Sequence, residues 1–382
     1  MADEGAFNWV SAYVPDDATG GWKAMQFHLL RALERRLGRA LRIAPVDVPE
    51  EFAGKWISRI QKLLHIPRPY AYYSESRLDA YARAVQARLA INGKQMVVFF
   101  GALPFVKCQP EACYYIYTDG AFFMHYWEYN RDHSHAQSEV ERICAAEADF
   151  MRRAAGVWCS SQWAADRIAK EYHIPSERVR FVGTGPADVP PPVEPVRYEN
   201  FLVMIAADFD RKGGRLAVES VAAARKHGVD ISIKFIGGKP PSDVLALPFV
   251  SWCGWLDMEK DVDRAKFAEV LSRAGAQILL SRSDLTPLAI LEAAVYSKAT
   301  IAMAVGGIPE MIRDGVTGWV LNPRSSSGEI GARLARLMND VGLFEAAGQA
   351  AKRYMEADWS WNAVSAKVKA SLRQVPIRVN QE

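Results

Sequence analysis

One glutamate stands where its surroundings leave no room for a charge. Residues 287–297, PLAILEAAVYS, are apolar on almost every side, as expected of a helix buried over most of its surface. Glu292 nevertheless falls one turn after Leu288, on the same face. Burying an unpaired carboxylate is costly or forces it to take up a proton. Glu292 must therefore pair with an internal Arg or Lys or meet a polar ligand. Asp284 lies eight residues earlier, in a polar loop between a short apolar strand at 277–281 and the helix. Thr286 suits the N-cap and Pro287 the first turn, where its missing N–H costs nothing, so the helix is predicted from Thr286. Strand end, acid, helix N-terminus and second acid then line one crevice. A helix start at the carboxyl end of a parallel strand is where open α/β sheets bind phosphate ligands.

Two more groups have chemical potential. In DFDRKGG, residues 208–214, Arg211 and Lys212 stand between a strand and the helix that follows. Paired cations there suit a diphosphate; a solvated charged turn is the plain alternative. An apolar strand at 113–117 runs into Thr118, Asp119 and Gly120, followed by Phe122, Phe123, His125, Tyr126, Trp127 and Tyr129. A strand-end acid beside a histidine and aromatic faces can hold a sugar, through hydrogen bonds to hydroxyls and stacking on C–H faces. Core packing explains the aromatics equally well. His133 and His135 lack a third ligand at metal spacing and read as surface.

The elements that position these residues alternate between strand and helix. In the first half, strands are predicted at 8–14, 41–46, 96–100, 113–117, 157–160 and 179–182, with helices at 22–37, 55–66, 138–155 and 162–172. Gly20 and Gly21 precede the first helix, a nucleotide-type opening that is also ordinary turn chemistry. The 55–66 helix is basic and amphipathic. It could dock on an anionic membrane; packing on its own sheet is the favoured reading, since both uses produce the same pattern. Three consecutive prolines in 183–195 stiffen a segment that cannot join a sheet and place the domain boundary there. The second half repeats the alternation, with strands at 201–205, 231–236, 277–281, 300–304 and 318–321, and ends in three helices. The pattern is that of doubly wound sheets.

Composition sets the frame. The chain has 382 residues, half of them apolar, and a formal net charge of only +3, which suits two ordinary domains and gives nucleic-acid binding no support. Five scattered cysteines suit a reduced compartment rather than a disulfide framework, and no CxxC pair suggests zinc. The N-terminus lacks the basic segment and apolar run of a signal peptide, and no stretch approaches the roughly 20 apolar residues of a membrane-spanning helix. The expected location is the cytoplasm, with the inner face of the membrane as the site if the 55–66 helix docks there.

Taken together, these motifs resemble retaining glycosyltransferases of the GT-B fold, similar to glycosyltransferase family 4. The family pattern of two acids separated by seven residues, then Gly-Gly-x-Pro-Glu, then Asp-Gly-x-x-Gly appears as Asp284 and Glu292, Gly306 to Glu310, and Asp314 to Gly318. The resemblance implies two Rossmann-like doubly wound domains facing a central cleft. Residues 1–190 would form the acceptor side and 191–358 the nucleotide-sugar side, with a helix at about 359–375 packing back on the first domain. It implies Asp119, His125 and Asp284 as catalytic residues, and Gly20, Gly21, Arg211, Lys212, Leu256, Thr286, Leu288 and Glu292 as donor-binding residues, with Glu292 on the ribose. The expected substrates are a UDP- or GDP-type nucleotide-diphospho-sugar and a glycan, lipid-linked or small-molecule acceptor. No metal or other cofactor is implied. An epimerase or phosphorylase of the same architecture and a non-catalytic sugar-nucleotide-binding relative are the alternatives. Two departures stand out: Asp284 where Glu is usual, and Leu285-Thr286-Pro287 where Gly-Phe-Gly is common.

Overall fold

The computed structural model describes residues 7–11, 21–46, 48, 70–88, 96–129 and 135–372. Gly20, His133 and the 55–66 helix lie outside these, as does the end of the first predicted strand.

Two compact units each contain a six-stranded, wholly parallel sheet. In the first, β1 (Phe7–Ser11), β2 (Arg42–Pro45), β3 (Met96–Phe100), β4 (Cys113–Thr118), β5 (Gly156–Cys159) and β6 (Val179–Phe181) lie in the order β2-β1-β3-β4-β5-β6. β3 pairs residue for residue with β4, Met96 opposite Cys113 through Phe100 opposite Tyr117. Val97 to Phe100 are buried, so the strand reads as a continuous apolar run, as central parallel strands do. The helix Gly21–Leu37 turns Ala24, Leu29, Leu30 and Leu33 inward and Arg31 and Arg35 outward, the amphipathic stripe its spacing predicts.

The second unit holds β7 (Phe201–Ala206), β8 (Ser232–Gly237), β9 (Val250–Trp252), β10 (Ala276–Leu279), β11 (Thr300–Met303) and β12 (Gly318–Leu321), in the order β12-β11-β10-β7-β8-β9. The three-residue edge strand β9 escapes sequence reading because it is short and largely exposed. The helix Ser327–Met338 begins in a capping box: Ser326 Oγ accepts from the Glu329 N–H, and Glu329 Oε2 accepts from the Ser326 N–H at 2.8 Å. This closes both orphan donors reciprocally.

The units divide at Gly183 and Thr184, upstream of the 190/191 boundary expected from sequence. The proline-rich stretch is docked on the second unit: the Val193 N–H donates to Ser272 Oγ at 2.8 Å, and the Tyr296 hydroxyl donates to the Pro190 carbonyl. The first helix is shared, its residues through His28 counting with the second unit. The closing helix Trp361–Leu372 passes to the first unit from Ser365 onward. There the Arg36 guanidinium donates to Ser365 Oγ at 2.9 Å and the Lys367 ammonium sits 4.6 Å from the Phe181 ring centroid. Among the described residues, no helix is long and apolar enough to cross a membrane.

Candidate functional site

β7, β10 and β11 are neighbours in the second sheet, so the loops at their carboxyl ends lie side by side. Two glycines bring those loops into backbone contact. Gly213 adopts φ +78°, and a Cβ there would stand 1.9 Å from the Leu280 carbonyl oxygen, so the basic turn closes on the end of β10 only with glycine. Gly306, at φ +55°, would place a Cβ 1.8 Å from the Asp284 carbonyl oxygen, and Gly307 N–H donates to the Leu285 carbonyl at 2.8 Å. Both positions combine a left-handed conformation with a close approach, which L side chains do not tolerate.

Asp284 sits at the centre of this contact, only 6% exposed. Its Oδ2 accepts from the Lys212 ammonium and from Ser281 Oγ, the latter at 3.0 Å. Arg211 Nη1 lies 3.8 Å from Oδ1 and donates to the Ser283 carbonyl at 3.0 Å. Asp208 holds the basic turn from the other side, accepting the Arg211 N–H at 3.0 Å. Two cations thus converge on one buried carboxylate, while Asp208 is more than half exposed to water.

Glu292 is carried by the eight-residue helix Leu288–Val295, whose Ala289, Ile290, Leu291, Ala293 and Ala294 are buried. Among the described residues it has no hydrogen-bond or ion-pair partner. Burial pushes its pKa up to about 7, and the Lys212 charge pulls the other way. Among the described residues, the internal Arg or Lys partner that would have made it structural is not there. The helix starts one residue later than predicted: Pro287, not Thr286, occupies the N-cap position at φ −72° and ψ 114°, with no side-chain cap hydrogen bond, and Leu288 is the first helical residue. The departure lies in Pro287 itself, whose extended ψ keeps it out of the first turn. Thr286 is buried at this entry.

In the first unit, Asp119 follows β4 and His125 lies on the helix Phe122–Tyr129. His125 Nε2 is 3.3 Å from Asp119 Oδ1. Burial disfavours the imidazolium, but Asp119 and Glu147 outweigh it and hold the His125 pKa above its ordinary value. Glu147, on the helix Gln137–Arg153, is 1% exposed; its Oε2 accepts the Phe122 N–H at 2.7 Å and the Tyr172 hydroxyl at 2.6 Å. Thr118 Oγ1 shapes the turn between strand and helix, donating to the Gly120 carbonyl at 2.5 Å.

Residues 200–340 match the family model described as "Glycosyl transferases group 1". The matched stretch lies within the second unit. The chain is 28% identical over 226 residues to alpha-maltose-1-phosphate synthase of Mycolicibacterium smegmatis, covering 53% of this chain and 56% of that one. It is 26% identical over 142 residues to glycogen synthase of Mycobacterium tuberculosis, 37% of this chain and 28% of that one. It therefore spans about half the length of the first relative and less of the second. Among solved structures, sucrose-phosphate synthase from Thermosynechococcus elongatus superposes with a TM-score of 0.70 at 16% identity, over 97% of this chain and 98% of the other. HepE from Anabaena in complex with UDP-glucose does so at 0.63 and 13% identity, over 96% and 99%. The two parallel sheets with flanking helices are the GT-B fold.

Within the second unit, Arg211, Lys212 and Asp284 come together in direct contact and Glu292 lies within reach of the Lys212 charge. Leu288 is partly exposed one turn before Glu292. Leu256, after the turn at Gly254, packs against the cluster containing Phe267, Ala293 and Tyr296, of which Ala293 adjoins Glu292 on the same helix. Gly21, at φ +58°, is the first residue of its helix, with open space where a Cβ would stand. Sequence reading missed Ser281, Glu147 and Tyr172. Glu147 carried the same signal as Glu292, a lone acid on the apolar face formed by Val140, Ile143 and Met151.

Proposed function

We propose that the chain is a glycosyltransferase that takes a nucleotide-diphospho-sugar in the second unit and moves its sugar to an acceptor held by the first. The observation that carries this reading is Glu292: a carboxylate on a buried helix, unpartnered and beside the cationic turn of a group 1 glycosyltransferase domain. Its oxygens are free to accept from two vicinal hydroxyls, which a ribose supplies, and the hydrogen bonds of a bound diol would restore the charged form.

The diphosphate goes to Arg211 and Lys212. Asp284 acts chiefly as their anchor, because its Oδ2 is already taken by Lys212 and Ser281; a longer glutamate at this position would reach further toward a sugar. As the bond between the anomeric carbon and the diphosphate oxygen breaks, negative charge grows on the leaving oxygen, and cations fixed in advance stabilise it without reorganising. The acceptor oxygen bonds to the anomeric carbon and its proton leaves with the diphosphate. Retention of configuration, charge neutralisation by side chains rather than a metal, and hydrogen bonding of the substrate by Asp119 and His125 belong to this reading. A uridine nucleotide is the first candidate, since HepE has been solved with UDP-glucose.

A thermal-shift panel of UDP, GDP and ADP with their sugars tests it, since a ligand that binds only the folded state raises the melting temperature. At least one nucleoside diphosphate should raise it by several degrees and its sugar should be consumed with an acceptor. No shift with any nucleotide would overturn the reading. Binding with no turnover on any acceptor would make the chain a sugar-nucleotide-binding relative instead.

A further inference from the structure

We infer that Tyr296, Ser297 and Lys298 are positioning residues for Glu292: they clamp the end of its helix to the proline-rich segment 190–198 and so fix where its carboxylate meets a ligand. Three consecutive residues bond to that segment. The Tyr296 hydroxyl donates to the Pro190 carbonyl, the Ser297 carbonyl accepts from the Tyr198 hydroxyl at 3.0 Å, and Lys298 Nζ donates to the Arg197 carbonyl at 2.5 Å. Tyr296 stands four residues after Glu292, the spacing that puts helix side chains on one face. The segment is itself fixed. The Val193 N–H donates to Ser272 Oγ at 2.8 Å, the Arg197 N–H to the Ser272 carbonyl at 2.8 Å and the Glu199 N–H to the Arg273 carbonyl at 2.9 Å. Residues 190–199 thus bridge the end of the helix Asp261–Arg273 and the end of the helix that carries Glu292.

Two further features set this end apart from an ordinary helix terminus. Ser297 adopts φ +55°, a left-handed conformation that a residue with a Cβ keeps only where its surroundings over-determine it. The helix Val341–Asp358 closes on it through Gly348, where a Cβ would stand 1.8 Å from the Ser297 carbonyl oxygen. Ile290 and Ala294, on the face opposite Glu292, border a cavity that Leu291, Met311, Met355 and Trp359 also line. Atoms facing a void lack the contacts that resist displacement, so the clamped end carries more of the helix's placement. Hydrogen bonds weaken steeply as they lengthen and bend. A small shift of this helix is therefore felt at whatever Glu292 binds.

The role of the clamp rests on the reading of Glu292 as a nucleotide ligand; the clamp itself is tested without nucleotide. Hydrogen exchange of the full chain, followed by mass spectrometry, compares wild type with Tyr198→Phe, which keeps the ring and loses the hydroxyl on Ser297. Amides of 288–298 should exchange roughly five-fold faster, as the loss of one hydrogen bond implies, while those of the helix Gly214–Lys226 keep their wild-type rates. Unchanged exchange at 288–298 would overturn the clamp. Affinity for UDP, GDP and ADP is then measured by isothermal titration in wild type, Tyr198→Phe, Glu292→Ala and the double variant. Tyr198→Phe should weaken the diphosphate that wild type binds by roughly three-fold or more, and should have almost no effect once Glu292 is Ala, because nothing is left to position. An equal loss in both backgrounds, or none in either, would overturn the proposal and make the clamp a purely structural joint. Tyr296→Phe, which removes the hydroxyl on Pro190, serves in both measurements if Tyr198→Phe fails to fold. Failure of the transferase reading would show separately, as wild type binding none of the three diphosphates, and the exchange rates would still decide the clamp.

Discussion

Glu147 and Glu292 are the same chemical group, each set by burial near a pKa of about 7, in opposite surroundings. Glu147 has two donors on one oxygen and virtually no contact with water. Glu292 has neither hydrogen bond nor ion pair among the described residues, and water reaches part of it. The first is held by the protein it helps to hold. Among the described residues, the second is favoured in its charged form only by the Lys212 charge. A perturbed pKa alone does not distinguish a structural carboxylate from a binding one; the count of satisfied lone pairs does.

The sharpest way to break this contrast is to truncate both. Glu292→Ala should lower nucleotide affinity at least 100-fold while the melting temperature of the free protein holds or rises, since an unpaired buried charge is removed. Glu147→Ala should do the reverse. It leaves a buried N–H and a buried hydroxyl without an acceptor, at roughly 1–3 kcal/mol each, so the melting temperature falls by several degrees. Isothermal titration and calorimetry on the same two variants check both outcomes. Unchanged affinity in Glu292→Ala would remove the ribose assignment.

Lys212 pairs with Asp284 and its charge acts on Glu292; on the proposed reading it also meets the diphosphate. Replacing Arg211 and Lys212 by Ala should cost a nucleoside diphosphate ten-fold or more in affinity and leave the monophosphate nearly unaffected, because charge-assisted hydrogen bonds to the second phosphate are what disappears. Equal losses for both ligands would contradict that division of labour.

Much of this was legible before the fold was known, and the reasons are local. The apolar strands and the Glu292 helix announce themselves because a parallel strand buried on both faces and a helix buried on most sides leave little freedom of composition. That Arg211, Lys212 and Asp284 stand at the carboxyl ends of neighbouring strands followed from strand–loop–helix order. The start of the helix did not, because Thr286 followed by Pro287 satisfies the statistics of a cap and first turn while Pro287 itself stays extended. The Phe122–Tyr129 helix was read only as aromatic stretch, since a segment that is apolar nearly all round has no period to detect. Glu147 was overlooked in a helix whose exposed face is rich in Glu, Asp and Arg. Its place on the apolar face is a local signal, but its partners Phe122 and Tyr172 lie 25 residues away in each direction.

The contrast also has a pH signature. A carboxyl whose folded pKa is raised contributes stability that is complete below its ordinary value of 4.5 and is lost as pH rises through about 7. Lys298 works in the opposite direction. It is wholly buried, donates to the Arg197 carbonyl at 2.5 Å and lies over the Tyr198 ring, and burial brings its pKa down to about 7. Its contribution is complete only above 10.5 and is lost as pH falls toward 7. Together these groups should give the ligand-free protein a shallow stability minimum near pH 7. Glu147→Gln should flatten the acid side by up to about 3 kcal/mol, at 1.4 kcal/mol per unit of pKa, and Glu292→Gln by less, because water reaches that carboxylate. Thermal melts between pH 5 and pH 9 check this, and a flat profile would mean that neither carboxylate is desolvated as described.

The smallest effect tests whether the two carboxylates differ by hydrogen bonding rather than by depth. Tyr172→Phe removes one donor from Glu147 and makes it more like Glu292, at an expected cost of about 1 kcal/mol near neutral pH. The lost bond had favoured the charged form, so the pKa of Glu147 must rise, and the pH range over which its stabilisation is lost must move upward. If hydrogen bonding is the distinction, the extra cost of Tyr172→Phe should appear above pH 7 and shrink at pH 5, where the acid is protonated in both proteins. A cost that is the same at both pH values would place the effect in packing around Tyr172, and depth alone would then account for the proton affinity of Glu147.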